Sequence, residues 1–485
     1  MALARGLIGY APAVIVPRLL TLAQITLLTR FISPSEFGSF VLVMAVGDAL
    51  DLLCCNWLRV ALSRYGAGKA NELAEEATRA TVSYLVVTVG VTLPLALAFS
   101  IFQKTAALPF FICLACYVTT NGIVRNALAI LAIRGLKLPF FIVEALRTSL
   151  GFTAVMALAG SGAVTTYVPL AMAMNCASAI AAVLAMVSAH RGMRFRWPAS
   201  WGGDRLGYLL PIMAGTVIAV ALSSSDRIMT ERFAGTAALA TYAAAATLAR
   251  QPLEFIFAVV NVRTFPELME AYERGGPRAG ADRLADLISI MAMLAFPAAI
   301  GLALVAEPLA RTFLTPAYVD TARAVIPIGA LAGVCFGFKT FVFDQAFHMA
   351  KTIWRNILWS FPVTVAGVIL MGVMAADYGA IGCVLALLLQ YMAVLTISIV
   401  QASRLIPLHA HVDDLARIGL MCAAMVAAVV VALAVAAAWP AAVQLACAIV
   451  AGAGAYVGAG LVLKPRPVRD LLPQRTSKPA GAAAS

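Results

Sequence analysis

One apolar stretch carries four residues whose side chains could bind ions. Asp48, Asp51, Cys55 and Arg59 follow one another at spacings of three and four, so a helix places them on one face. A charge near the centre of a membrane span costs about 2.5–3.5 kcal/mol and needs a hydrated interior or an opposite charge to offset it. We therefore treat Asp48 and Asp51 as candidate sites for H⁺ or Na⁺.

Charged residues also interrupt other apolar stretches, and most of them are arginines. The arginine fork donates two parallel hydrogen bonds to a phosphate and stays charged at every relevant pH. Arg18 has no acidic neighbour within a helical turn, which makes it the first candidate for a cation facing a cavity. The candidates for binding an anionic substrate are Arg18, Arg59, Arg125, Arg147, Arg250 and Lys339, and those for coupling to a cation are Asp48, Asp51, Glu144 and Glu254.

Most of these candidates have a structural explanation as well. Glu144 lies three residues before Arg147, and Arg250 lies four before Glu254, which are the spacings of ion pairs within one helix. A long side chain near the end of a span can instead extend its charge into water. That second explanation applies to Arg59 and Arg125.

The composition requires that membrane-spanning helices position these groups. The 485 residues are 62% hydrophobic and 12% charged, whereas soluble domains have about 45–50% apolar and about 25% charged residues. Spans of about 20 apolar residues predict an all-α integral membrane protein with about fourteen transmembrane helices. The apolar windows are Leu7–Ile32, Phe37–Leu62, Ala80–Phe102, Leu108–Ile133, Phe140–Gly160, Thr165–Ser188, Leu206–Ser223, Ala237–Phe265, Leu284–Val305, Ala324–Ala346, Ile353–Ala375, Ala380–Ile399, Ile418–Ala438 and Ala441–Leu463.

The charges of the loops predict the orientation of these helices. If the N-terminus is cytoplasmic, most of the lysine and arginine lies in the loops on the cytoplasmic side, as the positive-inside bias requires. An even number of helices then puts both termini in the cytoplasm. The bias accounts for the net charge of +12, so we predict no nucleic-acid partner.

The chain repeats a pattern 202 residues later. Arg30-Phe31 falls on Arg232-Phe233, Phe40 on Tyr242, and Asp48 on Arg250. A parallel repeat of six helices predicts two lobes related by a pseudo-twofold axis along the membrane normal; a chance match between apolar helices is the alternative. The predicted units are an N-terminal lobe (residues 1–200), a C-terminal lobe (201–404), two further helices (405–464) and a disordered cytoplasmic tail (465–485).

Motifs for catalysis are absent from the sequence. It contains no GxxxxGK[ST], no HExxH, no GxSxG and no His/Cys group with the spacing of metal ligands. We therefore predict that the protein is not an enzyme and uses no cofactor or metal.

The string TRFISPSEFGSF, which begins at Thr29, resembles the R-x-L-x-P-x-E-[FY]-G signature of polysaccharide biosynthesis flippases. Asp226-Arg227, and the run DYGAIG that begins at Asp377, are also similar to their counterparts in that family. The family belongs to a superfamily that also contains multidrug extruders and lipid II flippases. The resemblance implies two six-helix lobes around a central cavity, with two C-terminal helices outside them.

The resemblance also implies a function. Such a protein would move an undecaprenyl-pyrophosphate-linked oligosaccharide from the cytoplasmic to the periplasmic leaflet of the bacterial inner membrane, for exopolysaccharide, capsule or lipopolysaccharide synthesis. The expected partners are the lipid-linked oligosaccharide, the bilayer, a polysaccharide polymerase and glycosyltransferases. Membrane potential or an ion gradient would drive alternating access, since an anion moving outward gains about 2.3 kcal/mol per charge per 100 mV.

Two other functions fit an apolar chain of this length. A multidrug/cation antiporter on the same fold would present acidic residues to a cationic drug, but predicted helix 1 carries Arg18 instead. A membrane-embedded glycan polymerase would carry a large extracytoplasmic loop, and the sequence has no polar segment of that length.

Overall fold

The computed structural model describes residues 11–66, 70–102, 107–193 and 203–471, and its regular elements are all helices. A π-helical turn, Thr88–Thr92, joins the third and fourth helices into one rod long enough to span a membrane. The N-terminal half contains α1 (Ala11–Leu28), α2 (Pro34–Tyr65), α3 (Ala70–Val87), α4 (Leu93–Phe102), α5 (Ala107–Ile133), α6 (Lys137–Gly160) and α7 (Tyr167–His190).

The C-terminal half begins after a segment outside the described residues. It contains α8 (Gly203–Ser223), α9 (Ser225–Ala234), α10 (Thr236–Leu304), α11 (Ala306–Phe313), α12 (Pro316–Phe338), α13 (Gln345–Met349) and α14 (Ile353–Ser403). A second π-helical turn, Lys339–Phe343, joins α12 to α13. Three further helices follow: α15 (Val412–Val435), α16 (Ala441–Leu463) and α17 (Arg466–Leu471).

The longest helix, α10, is a hairpin rather than a rod. Its 69 residues would measure about 100 Å if straight, roughly three times the hydrocarbon thickness of a bilayer. Gly276 has a φ of 71°, outside the helical region. Beyond this break Arg283 returns to form an ion pair with Glu267, 16 positions earlier. The two arms of α10 hold two of the predicted windows, and the turn between them lies at Gly276.

A similar turn at a glycine divides α14, which has 51 residues. Gly379 has a φ of 57°, and Gln390 Nε2 donates to the carbonyl oxygen of Thr364 over 2.9 Å, a contact across 26 positions. This contact is possible only because the helix turns back at Gly379. Its arms correspond to the two predicted windows on either side of that glycine.

The predicted all-α membrane fold is confirmed. Among the described residues, ten helices are long and apolar enough to cross a membrane, or eleven if the bent pair Ile212–Ser223 and Ser225–Ala234 is one span. The predicted count of fourteen is not confirmed. The count depends on how the arms of the two hairpins and the shorter apolar helix Leu19–Leu28 are assigned.

The α1–α2 turn brings the two halves together. Ser33 caps α2 by accepting a hydrogen bond from the Glu36 backbone N–H at 3.4 Å, and Pro34 occupies the first turn. One turn later Gly38 lies against the backbone of Thr236, the first residue of α10. This close approach crosses α2 with α10, and Asp48 follows on α2.

The C-terminal tail differs from its prediction at Arg466–Leu471. These residues form the short helix α17 instead of a disordered segment. Asp414 explains the order, because its Oδ1 accepts a hydrogen bond from the backbone N–H of Arg466 at 3.0 Å. The remainder of the predicted tail, 472–485, lies outside the described residues.

Candidate functional site

A cavity of about 280 Å³ lies between the two halves, where α2 faces α10. Helices α1, α2, α5, α6 and α7 form one wall, and α9 and α10 form the other. Amides, hydroxyls and three charged groups face it. Its polar lining consists of Thr21, Gln24, Asp48, Tyr117, Asn121, Arg147, Thr148, Ser178, Arg227, Thr247 and Gln251.

Arg227, near the start of α9, is the charged group of this lining for which the described part of the chain offers no carboxylate partner. Its Nε is buried without a hydrogen-bond acceptor, and no ion pair among the described residues includes its guanidinium. The backbone N–H of Arg227 donates to Asp226 Oδ1 at 2.9 Å, which fixes the start of α9. Arg227 is only partly buried, and its guanidinium faces the cavity, so it can donate hydrogen bonds to an anion bound there.

Arg147 faces the same cavity from the opposite half. Its Nη2 and Nε donate to the two carboxylate oxygens of Glu144, at 2.6 Å and 3.2 Å. Its Nη1 donates to Asn121 Oδ1 at 3.2 Å. These three bonds hold the guanidinium in one orientation, with its charge largely balanced by Glu144.

The charged face of α2 forms an ion-pair network in the N-terminal half. Arg59 donates two hydrogen bonds to Asp51, from Nη1 to Oδ1 at 3.1 Å and from Nη2 to Oδ2 at 3.0 Å. Arg125 bridges Asp51 and Asp48, donating to Asp51 Oδ2 at 2.8 Å and to Asp48 Oδ1 at 2.5 Å. Tyr117 adds a hydrogen bond to Asp48 at 2.9 Å. Two arginines therefore neutralise two aspartates, and of these four charged residues only Asp48 lines the cavity.

The C-terminal half buries a comparable network. Asp226, which is fully buried, accepts hydrogen bonds from Arg250 Nη1 at 3.0 Å and from the Tyr242 hydroxyl at 2.7 Å. Arg250 Nη2 also donates to the Tyr391 hydroxyl at 3.3 Å and lies 3.6 Å from Glu254. Arg250 is thus fully engaged, and it is not part of the cavity lining.

A third pair lies at the π-helical turn after α12. Lys339 forms an ion pair with Asp344, and Ser398 donates to the other carboxylate oxygen of Asp344 at 2.6 Å. Both charged residues are buried. Through Ser398, this pair connects the turn to the second arm of α14, away from the cavity between the halves.

The structure separates the predicted site residues that line the cavity from those that form ion pairs elsewhere. Arg147 and Asp48 line the cavity, whereas Arg59, Arg125, Arg250 and Lys339 form ion pairs outside its lining. Of the remaining cation-coupling candidates, Asp51, Glu144 and Glu254 are each paired with an arginine. The side chain of Arg18 lies outside the described residues. Substrate contact stays a prediction for all of them.

Residues 27–323 match the model of the family described as polysaccharide biosynthesis protein. The chain belongs to this family. The resemblance drawn from TRFISPSEFGSF is thereby confirmed. No curated protein sequence matches the chain.

Solved structures share the fold of this polysaccharide biosynthesis protein. Lipid II flippase MurJ in an inward closed conformation superposes with a TM-score of 0.75 at 13% identity, over 95% of this chain and 99% of MurJ. An inward-facing multidrug resistance transporter of the MATE family gives 0.61 at 13% identity, over 80% and 94%. A MOP superfamily transporter from Pyrococcus furiosus, whose binding pocket is described as having reverse polarity, gives 0.58 at 13%, over 83% and 95%.

The signature residues of this family member lie where its halves meet. Arg30 Nη2 donates to the carbonyl oxygen of Thr312 in the C-terminal half at 3.2 Å. Glu36 accepts a hydrogen bond from the backbone N–H of Tyr167 at 2.7 Å, and Phe37 packs edge-on against Tyr318. We call this contact region the seam; it consists of Arg30–Phe40 together with the α9–α10 and α11–α12 turns. The signature is structural, and the charged cavity begins beyond it.

Arg227 lines the cavity but was not among the candidates that the sequence indicated. Hydropathy falls after Ser223, so the predicted span ends there, whereas in the structure α9 follows α8 after a bend of 51°. One signal was present in the family resemblance, which singled out Asp226-Arg227. In the structure, the aspartate of this pair neutralises Arg250 inside the protein, and the neighbouring arginine faces the cavity.

Proposed function

We propose that this protein is a flippase that carries an undecaprenyl-pyrophosphate-linked oligosaccharide from the cytoplasmic to the periplasmic leaflet. The observation that carries the proposal is the pair Arg147 and Arg227. They face one cavity from opposite halves, and Arg227 has no carboxylate partner among the described residues. Together with Asp48 they leave the lining with one excess positive charge, which suits a pyrophosphate better than a cation.

The size of the cavity supports an occluded state rather than a fully loaded one. Pockets that enclose a drug-sized ligand have about 300–1,000 Å³, and this one has about 280 Å³. It has room for a pyrophosphate but not for a whole lipid-linked glycan. Loading of the whole glycan then requires the halves to part, which is alternating access.

Membrane potential is the driving force that we propose. A pyrophosphate with two negative charges moving outward gains about 4.6 kcal/mol at 100 mV. A proton on Asp48 would remove one partner of Arg125 and make the cavity more positive, so proton and anion would favour each other's binding. When two ligands favour each other's binding, they are transported together in the same direction. Export of the anion would then also move protons outward. Asp51, Glu144 and Glu254 are also paired with arginines, and unlike Asp48 they do not line the cavity, so Asp48 is the better candidate for coupling.

Translocation in proteoliposomes tests the proposal. The purified protein is reconstituted with a fluorescent polyprenyl-pyrophosphate disaccharide, a potassium gradient with valinomycin sets the potential, and leaflet exposure is read by a membrane-impermeant quencher. We expect potential-dependent flipping that falls at least tenfold in Arg227→Gln. Arg274→Gln is the matched control, since Arg274 is 80% exposed and lies far along the chain at the turn of α10.

The second candidate, a cation antiporter, gains support from Asp48, which is 43% exposed and lines the cavity. The same proteoliposomes distinguish the two. Potential-independent uptake of a lipophilic cation that Asp48→Asn abolishes, with no flipping of the glycolipid, would replace our proposal. Elongation of the glycan during the assay would instead indicate a polymerase.

The proposal includes the bacterial inner membrane with both termini in the cytoplasm, and work alongside glycosyltransferases and a polysaccharide polymerase. The loop charges support this orientation. Fusions of a periplasm-dependent reporter to either terminus should be inactive, whereas active fusions would invert the topology.

A further inference from the structure

A second cavity, of about 490 Å³, lies on the other side of α1. We call it the apolar crevice. Its walls come from α1 in the N-terminal half and from α10 and α11 in the C-terminal half. The side chains that form them include Leu22, Leu27, Leu248, Leu302, Leu309 and Phe313.

A single helix separates the apolar crevice from the central cavity. Leu20 and Gln24 of α1 line the central cavity, whereas Leu19 and Ala23 line the crevice. The crevice is open to the exterior, because two lining residues, Leu19 and Phe313, are 60% and 41% exposed. In a membrane protein, exposed leucine and phenylalanine beside an apolar opening face hydrocarbon chains.

One charged residue, Arg30, lies at the end of the crevice. Its guanidinium donates to the carbonyl oxygen of Thr312, and no carboxylate among the described residues pairs with it. Arg30 follows the last turn of α1, where the predicted topology places the membrane surface. An apolar volume that ends in an uncompensated guanidinium at that level complements an acyl chain with a phosphate at its head.

We propose that the apolar crevice binds one acyl chain of an anionic phospholipid, with the lipid phosphate on Arg30. Charge-assisted hydrogen bonds give the headgroup its selectivity, and the apolar walls of the crevice favour the chain. Because the walls belong to both halves, the lipid binds best when the halves have this arrangement and therefore stabilises it. The proposal concerns a resident membrane lipid and does not depend on what the central cavity transports.

Lipid titration of the purified protein tests the site. The unfolding midpoint in detergent is followed against dioleoyl phosphatidylglycerol and dioleoyl phosphatidylcholine, which share their chains and differ in charge. We expect the anionic lipid to bind at least tenfold more tightly. Arg30→Gln should remove most of that difference. Arg311→Gln, which changes an exposed arginine of α11 outside the crevice lining, should retain it.

A second variant keeps the test decisive if Arg30→Gln fails to fold. Ala23→Phe fills the crevice and leaves Arg30 in place, so it should weaken binding of both lipids about tenfold. Equal binding of the two lipids, or wild-type affinity in both variants, overturns the proposal.

Two alternative ligands are tested in the same way. If glycerol phosphate stabilises the protein as well as the lipid does, the site is a simple anion site. Tighter binding of polyprenyl phosphate than of phosphatidylglycerol would assign the crevice to the isoprenoid chain of a substrate, and either result also overturns it.

Discussion

The seam at Gly38 yields the sharpest prediction, for the substitution Gly38→Ala. A Cβ at this position would lie 2.7 Å from the carbonyl carbon of Thr236 and nearer still to its oxygen. Carbon atoms in contact prefer about 3.5–4.0 Å, so the two backbones must separate by roughly 1 Å. Both belong to helices whose first turns are packed, and no flexible side chain can move aside.

The free-energy cost follows from that displacement. Inserting a methyl group into a packed contact costs about 1–3 kcal/mol, and the penalty applies only while the seam is closed. We therefore expect Gly38→Ala to reduce the population of the closed arrangement relative to an open one by about 5- to 150-fold. If the halves part at this seam during transport, the variant should spend more of its time open there than the parent protein does and flip substrate more slowly.

Bimane quenching by tryptophan measures the opening directly because it reports short distances. The label is placed on Ser35→Cys and the quencher on Ala237→Trp, two exposed positions that flank the contact, in a background without the nine native cysteines. Gly454→Ala is the matched control, since nothing lies within 4 Å of a Cβ at Gly454 in α16. Equal quenching and equal thermal stability in Gly38→Ala and the parent protein would refute the reasoning.

Two further predictions concern the ion pairs beside the cavity. Asp51→Asn removes the carboxylate that Arg59 and Arg125 share, while Arg125 keeps Asp48. Because Arg125 is 36% exposed, we expect a loss of about 1–3 kcal/mol, visible as a lower unfolding midpoint in detergent; an unchanged midpoint would show that water replaces the carboxylate. Glu144→Gln removes the partner that neutralises Arg147 and adds one net positive charge to the cavity wall, so the apparent KM for the pyrophosphate lipid should fall several-fold at low salt. A KM that rises would mean that Glu144 orients Arg147 rather than opposing the anion.

Apolar windows alone predicted where most helices lie, because a bilayer demands runs of about 20 apolar residues. They did not show that helical structure continues up to the turns at Gly276 and Gly379, where one residue with positive φ is enough to reverse the chain. Arg227 likewise falls between the predicted windows Leu206–Ser223 and Ala237–Phe265, because three serines and Asp226 precede it. Asp226 is buried with Arg250 and Tyr242 as partners, and a sequence does not reveal partners 24 and 16 positions away.

Spacing along α2 correctly grouped Asp48, Asp51 and Arg59 on one face. It could not supply Arg125, which arrives from α5 and divides its bonds between the two aspartates. Pairing of charges between helices depends on the rotation of each helix about its axis, and apolar residues distributed around the whole circumference fix that rotation weakly. For this reason the sequence nominated charged residues without separating those that line the cavity from those that neutralise one another.

The position of α1 between two cavities has a consequence for the evolution of this chain. Thr21 and Gln24 border a polar space, and Leu22 and Ala23, which lie between them in sequence, border an apolar one. Neighbouring residues therefore meet opposite physical requirements, one set for hydrogen bonding and the other for hydrocarbon contact. A change of transported head group would alter the first set and leave the second intact, so α1 can acquire a new specificity without losing its fit to the membrane.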